Sequence, residues 1–525
     1  MSEPPAWPHC AQGADPATDP VGCCGIQVPG HTACLAHLAD ADRDAYLAGL
    51  TPGISIDHRG TTFTEALLNA LLNALRDPAT GHPRFGVAKF ESALFEGRAW
   101  FPVTIFQGYA LFESATFKGD ALFESATFEE DAWFESATFQ GHAGFGSATF
   151  QGDAGFRSAT FQEDAGFRLA TFQGVAGFGS ATFQGVAGFG SATFQGVAGF
   201  RLATFQGVAG FRLATFQGDA GFESATFQDD ARFESATFQG HARFRLATFQ
   251  DEARFERATF QGYAWFDTAI FQGLAWFESA TFQGYAQFAS ATFQGYTGFE
   301  SATFQGHAGF GSATFQDEAR FESVTFEGVA WFESATFKDD ARFESAIFVN
   351  ADQLGPSTCA GRVVLSGAAF GGPVTLSFAA RRLECRRTRW SSTAEIRLRY
   401  AMVDFAHAVL EYPLTIAAEP DPFVLTDGRP LTEDLFPSAY DPGVRVESLR
   451  GVDAAHLVLA DLDLSECLFS GTVQLDQLRL EGACIFDTVP PAAHWRRWPP
   501  VRFTERRVLA EEHHWRAQRA GPWGA

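Results

Sequence analysis

Phenylalanine sets the rhythm of this chain. From Phe90 to Phe348 it recurs without a gap at alternating intervals of five and six residues, as in Phe112, Phe117, Phe123 and Phe128. The run holds 24 units of eleven residues and 48 of the 58 Phe, so most of the large apolar side chains lie in one periodic array. A small residue, nearly always Ala, stands two positions before each Phe, with polar residues such as Thr116 and Lys118 on either side of the ring. In extended chain alternate residues share a face. Ala and Phe therefore point inward and Thr116 and Lys118 outward, which makes each Ala-x-Phe-x-x segment one short side of a coil.

An eleven-residue coil would have two sides and too thin an interior for two rings. Two units per coil give four sides, 22 residues, four Phe and four Ala. The small Ala leaves room for the rings to stack from coil to coil at offset distances. Repetition at a short fixed period marks a solenoid, in which no unit buries its own apolar face and stacking supplies the core. The 24 units predict about 12 coils and, at ~4.8 Å per coil, a rod of roughly 58 Å.

The skeleton carries a resemblance. Ala115-Thr116-Phe117-Lys118-Gly119-Asp120 followed by Ala121-Leu122-Phe123-Glu124-Ser125 resembles the pentapeptide-repeat family, whose consensus A-(D/N)-L-x-x sets a small residue two positions before a bulky one. Here Phe replaces the central Leu and every second repeat has six residues, as in a Phe-rich bacterial branch of that family. The more usual form returns at Ala460-Asp461-Leu462-Asp463-Leu464. The resemblance implies an all-β solenoid, a right-handed quadrilateral β-helix of about 22 residues per coil.

The flanks differ from the array. Residues 1–84 read as a small, partly helical N-terminal cap, with helices expected over 38–50 and 64–76 from their apolar spacing and Thr61 and Thr62 expected to cap the second. Residues 85–353 form the regular Phe-rich β-helix. Residues 354–503 keep strand-like runs such as RVVLSGAAF and LVLADLDLSECLF but lose the strict period, which predicts an irregular β C-terminal extension, interrupted by a Pro- and Asp-rich excursion at 418–446. A helix and tail are expected over 504–525. Open solenoid ends are unpaired sheet edges, so the flanks are suited to cover them.

Cysteine adds the one candidate chemistry. Four of the eight Cys crowd near the start: Cys10, then Cys23-Cys24, then Cys34 in the run CLAH ending at His37. A C-x2-H pair sets a thiolate and an imidazole on one ion, and Cys10 and Cys23 complete four ligands, so Cys10, Cys23, Cys34 and His37 are the expected ligands of one structural zinc. The choice of Cys23 over Cys24 is arbitrary at this level. The competing reading is a small cap with buried free thiols, since Cys is often found inside. A closed four-ligand site leaves no open position for catalysis. No nucleophile elbow, phosphate loop or metallohydrolase motif is present, and QGVAGFGS at 184–191 lacks the Lys-Ser/Thr end of a phosphate loop, so its glycines belong to repeat corners. His142, His241 and His307 fall at one outward corner position and are expected to be solvated.

The charge, −24 overall, argues against a nucleic-acid or anionic-membrane ligand and for a basic protein partner or plain solubility. No basic, apolar leader opens the chain, and no apolar run reaches the ~18 residues of a membrane helix. A cytoplasmic protein is expected. In the array, outward columns repeat every 22 residues, stacking Glu234, Glu256, Glu278, Glu300, Glu322 and Glu344, with Arg232, Arg254, Arg320 and Arg342 two residues earlier to pair with them.

These features predict a non-catalytic rigid scaffold or interaction rod with an unidentified protein partner, able to associate end to end or through its caps. The alternative rests on the resemblance, because some pentapeptide-repeat proteins mimic DNA and bind DNA gyrase or a related topoisomerase. Residues 90–353 carry 32 acidic and 14 basic residues. That gives the rod about 0.3 charge per Å where duplex DNA carries ~0.6. Between Phe167 and Gly221 there are three Arg and one Asp, so the middle is nearly uncharged.

Overall fold

Short parallel strands stacked coil on coil account for nearly all of the regular structure. The computed structural model describes residues 4–15, 17–436 and 441–487. The chain divides into two compact units, Met1–Trp265 and Phe266–Ala525. Each is a parallel β-solenoid, and over the Phe array the coil is 22 residues.

In the first unit the strands are two residues long. Ala110–Leu111 pairs in register with Ala132–Trp133, and that strand with Ala154–Gly155, a step of one coil each time. Thr116–Phe117 pairs with Thr138–Phe139 in the same way. The inward residues are sealed off: Phe189, Phe194, Phe200, Ala192 and Ala198 are all at 0% exposure. Phe194 lies between Phe172 and Phe216 with centroids 4.9 and 4.8 Å away and ring planes within 2°. It meets Phe200 of its own coil edge to face at 6.1 Å. The ring spacing equals the strand spacing, so ring stacking and the backbone ladder are satisfied by one repeat distance.

Two kinds of corner turn the chain. After every second Phe-x pair a residue in the left-handed region lets the next Ala N–H donate back to the Phe carbonyl, as in Ala115 to Phe112 at 3.0 Å around Ser114 with φ 58°. This residue is usually Ser, and Leu at 169, 202, 213 and 246. At the six-residue corner a side chain accepts from the backbone one coil on: Asp153 Oδ1 takes the Val175 N–H at 2.8 Å and Asp164 Oδ1 the Val186 N–H at 2.9 Å. His241 Nδ1 does the same for the Tyr263 N–H at 3.1 Å. In the second unit His307 Nδ1 accepts from the Val329 N–H at 3.1 Å. His142 and His307 are exposed, as expected, and His241 is half-buried; the backbone bond is a further role of His241 and His307.

The first unit begins with α1 (Asp40–Ala48) and α2 (Glu65–Ala74). Leu68, Leu71 and Leu72 of α2 are buried. Its cap is Thr64, whose side chain accepts from the Leu67 N–H at 3.2 Å, and neither Thr61 nor Thr62. The reason is that Thr62–Phe63 is a strand paired with Leu94–Phe95, so the first coil continues past both threonines before the helix starts.

In the second unit the step falls from 22 to 20 residues and the strands lengthen, as in Val374–Glu384 against Ala394–Arg399. The Phe column ends in Phe348, Phe370 and Trp390, stacked at 4.9 and 4.2 Å. The excursion after Ala418 is held by Phe423, Leu431 and Phe436, buried with Ala379, and by an Arg399–Glu433 ion pair of 2.7 Å. The expected extension thus remains a solenoid of shorter coils through residue 487. Residues 488–503 and the helix and tail expected at 504–525 lie outside the described residues. No helix among the described residues is long and apolar enough to cross a membrane.

Outward carboxylates are treated differently along the chain. In the second unit Arg342 reaches Glu318, Glu322 and Glu344 at 3.0, 3.1 and 2.7 Å. In the first unit Glu113 lies between Glu91 and Glu135 in one column, and burial, with those two carboxylates, holds its carboxyl up at about 7. Between the unfolded value near ~4.3 and that folded value, the folded chain binds a proton that the unfolded chain releases, so this site's contribution falls as pH rises through the window. Glu113→Gln should flatten stability between pH 5 and 7 and raise it at pH 8 by about 1 kcal/mol after allowance for solvent screening. Urea titrations at pH 5, 7 and 8 check this, and an unchanged pH slope would refute it.

Candidate metal centre

The amino-terminal segment folds around a hairpin-like pairing. The Cys10 N–H donates to the Gly25 carbonyl, Ala11 to Cys23, and Cys23 to Gln12, which brings Cys10 beside Cys23. A tight turn at 34–38, with His37 and Leu38 both donating to the Cys34 carbonyl, folds His37 back over Cys34. Cys34 and Leu35 are fully buried. Trp7 Nε1 donates to the Cys24 carbonyl at 2.8 Å, and the Arg59 guanidinium lies 5.0 Å over the Trp7 ring, tying the segment to the first coil. Gly60 has φ +63°, and a Cβ there would run into the Cys24 carbonyl, so glycine is what lets the two chains approach.

The four residues singled out in the sequence come together. Cys34 Sγ is 3.4 Å and Cys10 Sγ 3.5 Å from His37 Nδ1, and Cys23 Sγ is 3.7 Å from Cys34 Sγ. All four donor atoms lie within 4.8 Å of one another. Tetrahedral zinc with its usual bond lengths has edges of about 3.8 Å between two sulfurs and about 3.5 Å between sulfur and nitrogen. The three short distances match these edges, so the donor set fits a Cys3His site bound through Nδ1. Cys24 Sγ instead faces the Gly22 carbonyl at 3.7 Å.

The thiols are already electronically unequal. A hydrogen bond from Cys34 leads in drawing Cys23 down to about 5, aided by the Gly25 N–H and His37, while the same contact and burial push Cys34 up. The other four cysteines, Cys359, Cys385, Cys467 and Cys484, are buried singly in the second unit. In a second group, Asp229, Asp230 and Asp251, two members are engaged within the fold: Arg232 binds Asp230 at 2.8 Å and Asp229 Oδ1 accepts from the Asp230 N–H.

The coil geometry and its repeating skeleton define a class of β-solenoid. The family model described as pentapeptide repeats matches the chain in nine copies, over residues 103–149 and, in overlapping stretches, 178–352. These stretches of the chain are pentapeptide repeats. No curated protein and no solved structure matches it significantly.

Proposed function

We propose that the chain is a non-catalytic scaffold, closed at its amino-terminal end by a structural zinc on Cys10, Cys23, Cys34 and His37, that presents outward side chains to a protein partner in the cytoplasm. The observation that carries this reading is the contrast between the two sides of the wall. Inward positions repeat Ala and Phe almost without change, while the outward position after Ala runs through Leu111, Trp133, Gly155, Gly199 and Arg243 on one column. A core held constant beneath a varied surface is a platform for recognition. The zinc supplies cross-linking of the cap and no reaction, since all four positions around it are taken by protein.

The DNA-mimic reading is less well supported. Acid in the second unit is partly neutralised by Arg320 and Arg342, which lie against Glu300, Glu318, Glu322 and Glu344. Two assays separate the readings. The intact chain at micromolar concentration should leave gyrase supercoiling unchanged, and inhibition would favour mimicry. A partner captured by the intact chain should be lost by a variant with Arg320 and Arg342 changed to Glu, at unchanged melting temperature. Retention by that variant would remove the outward-face reading.

A further inference from the structure

One outward face of the first unit carries a charge pattern that is complementary to itself when reversed. The backbone ladder stacks Glu91, Glu113, Glu135, Arg157, Gly179 and Arg201, one per coil: Ser92, Ser114, Ser136, Ser158 and Ser180 each donate to the carbonyl of the next member. Among the described residues neither the Arg157 nor the Arg201 guanidinium has an intramolecular partner, and both are exposed. At the other end of the column, Glu91 and Glu113 each keep a buried carboxylate oxygen with no hydrogen bond. Acid lies on one side of the midpoint between Glu135 and Arg157, and unpaired base on the other.

The neighbouring columns have the same reversal in shape. Next to the charged column run Lys89, Leu111, Trp133, Gly155, Gly177 and Gly199, in register from coil to coil. Side chains stand on the acidic side and bare backbone on the basic side. Trp133 leans over Gly155 of its own chain, while a Cβ at Gly177 or Gly199 would meet nothing nearer than an Ala carbonyl at 3.9 to 4.0 Å. The third column sets Tyr109 against exposed Val175 and Val197. Reversal also sets Asp131 against Asp153 at its centre, a like-charged pair that opposes the match, with one oxygen of each carboxylate turned to the Asp153 and Val175 N–H groups of its own wall.

We infer that this face is a docking surface for a second copy of the chain, applied antiparallel about a two-fold axis between the levels of Glu135 and Arg157. Glu135 then meets Arg157 of the second copy and Glu91 meets Arg201, while Leu111 rests on the open backbone of Gly177 and Tyr109 on Val175. A two-fold interface uses one patch twice, so each pairing is made two times. Opposed charges in register fix one alignment and penalise neighbouring ones, because a shift of one coil places Glu135 against Glu135. The inference is independent of the zinc and of the identity of any other partner.

Sedimentation equilibrium of the intact chain at about 0.15 M salt tests it, with circular dichroism to verify that each variant is folded. The expected result is a dimer for the natural sequence, at least tenfold weaker association for Glu135→Arg and for Arg157→Glu singly, and recovery in the double variant, where Arg and Glu face each other again. Gly177→Trp, which fills the bare backbone, should also weaken the dimer. A monomer at 100 µM, single variants that dimerise as well as the natural chain, or a double variant that fails to recover would each overturn the assignment.

Discussion

Phe194→Ala should cost about 3–5 kcal/mol of stability, against a few tenths for Gln195→Ala next to it. Phe194 is fully buried and stacked between Phe172 and Phe216, and its removal leaves a ring-sized hole that rigid coils on both sides cannot close. Gln195 is exposed, although its backbone N–H donates to the Phe172 carbonyl, a bond the substitution keeps. Loss in a repeat array is local before it is global, so hydrogen exchange of the amides around residues 172–216 is the measurement, with denaturant unfolding beside it. Equal protection in both variants would contradict the inward assignment of the ring.

Chelation of the intact, reduced protein should release the cap. Binding of structural zinc is folding energy, of order 10 kcal/mol or more in small zinc domains, and segment 4–38 is otherwise held by the buried Val21, Val28, Cys34, Leu35 and Leu38 and by the contacts of Trp7 and Ile26 with Arg59. Amides of residues 4–60 should exchange fast after chelator is added, while those of the Phe-stacked coils from Phe90 onward stay protected. The exposed first coil would then recruit strands, so slow end-to-end association should follow. Unfolding of the whole first unit on chelation would show that the cap and coils are one cooperative body.

Much of the fold is legible because period and burial are linked: the five-and-six spacing of Phe leaves only a 22-residue coil with four rings inside. What the spacing does not carry is how each corner is closed. Ser114 and its equivalents take left-handed backbone, which Ser does not announce in sequence, and the corner role of His241 depends on an N–H one coil away at Tyr263. The cap of α2 differs from the expected one for a related reason. Thr61, Thr62 and Thr64 are equally good caps in isolation, and only the pairing of Thr62 with Leu94 decides among them. At the metal cluster, the short CLAH run already sets Cys34 beside His37. Cys10 and Cys23 approach through hairpin pairing between residues 10–12 and 23–25, whose odd spacing matches no finger pattern, and so the sequence alone cannot separate Cys23 from Cys24.

The proposal that Cys10, Cys23, Cys34 and His37 close the amino-terminal end around zinc is tested most directly by metal content. Intact protein purified under reducing, chelator-free conditions should carry about one zinc per chain, with X-ray absorption showing three sulfurs near 2.3 Å and one nitrogen near 2.0 Å. Cys34→Ser should lose the metal and Cys24→Ser should keep it. Protein that is fully folded in residues 4–60 and contains no zinc would contradict the metal-held cap.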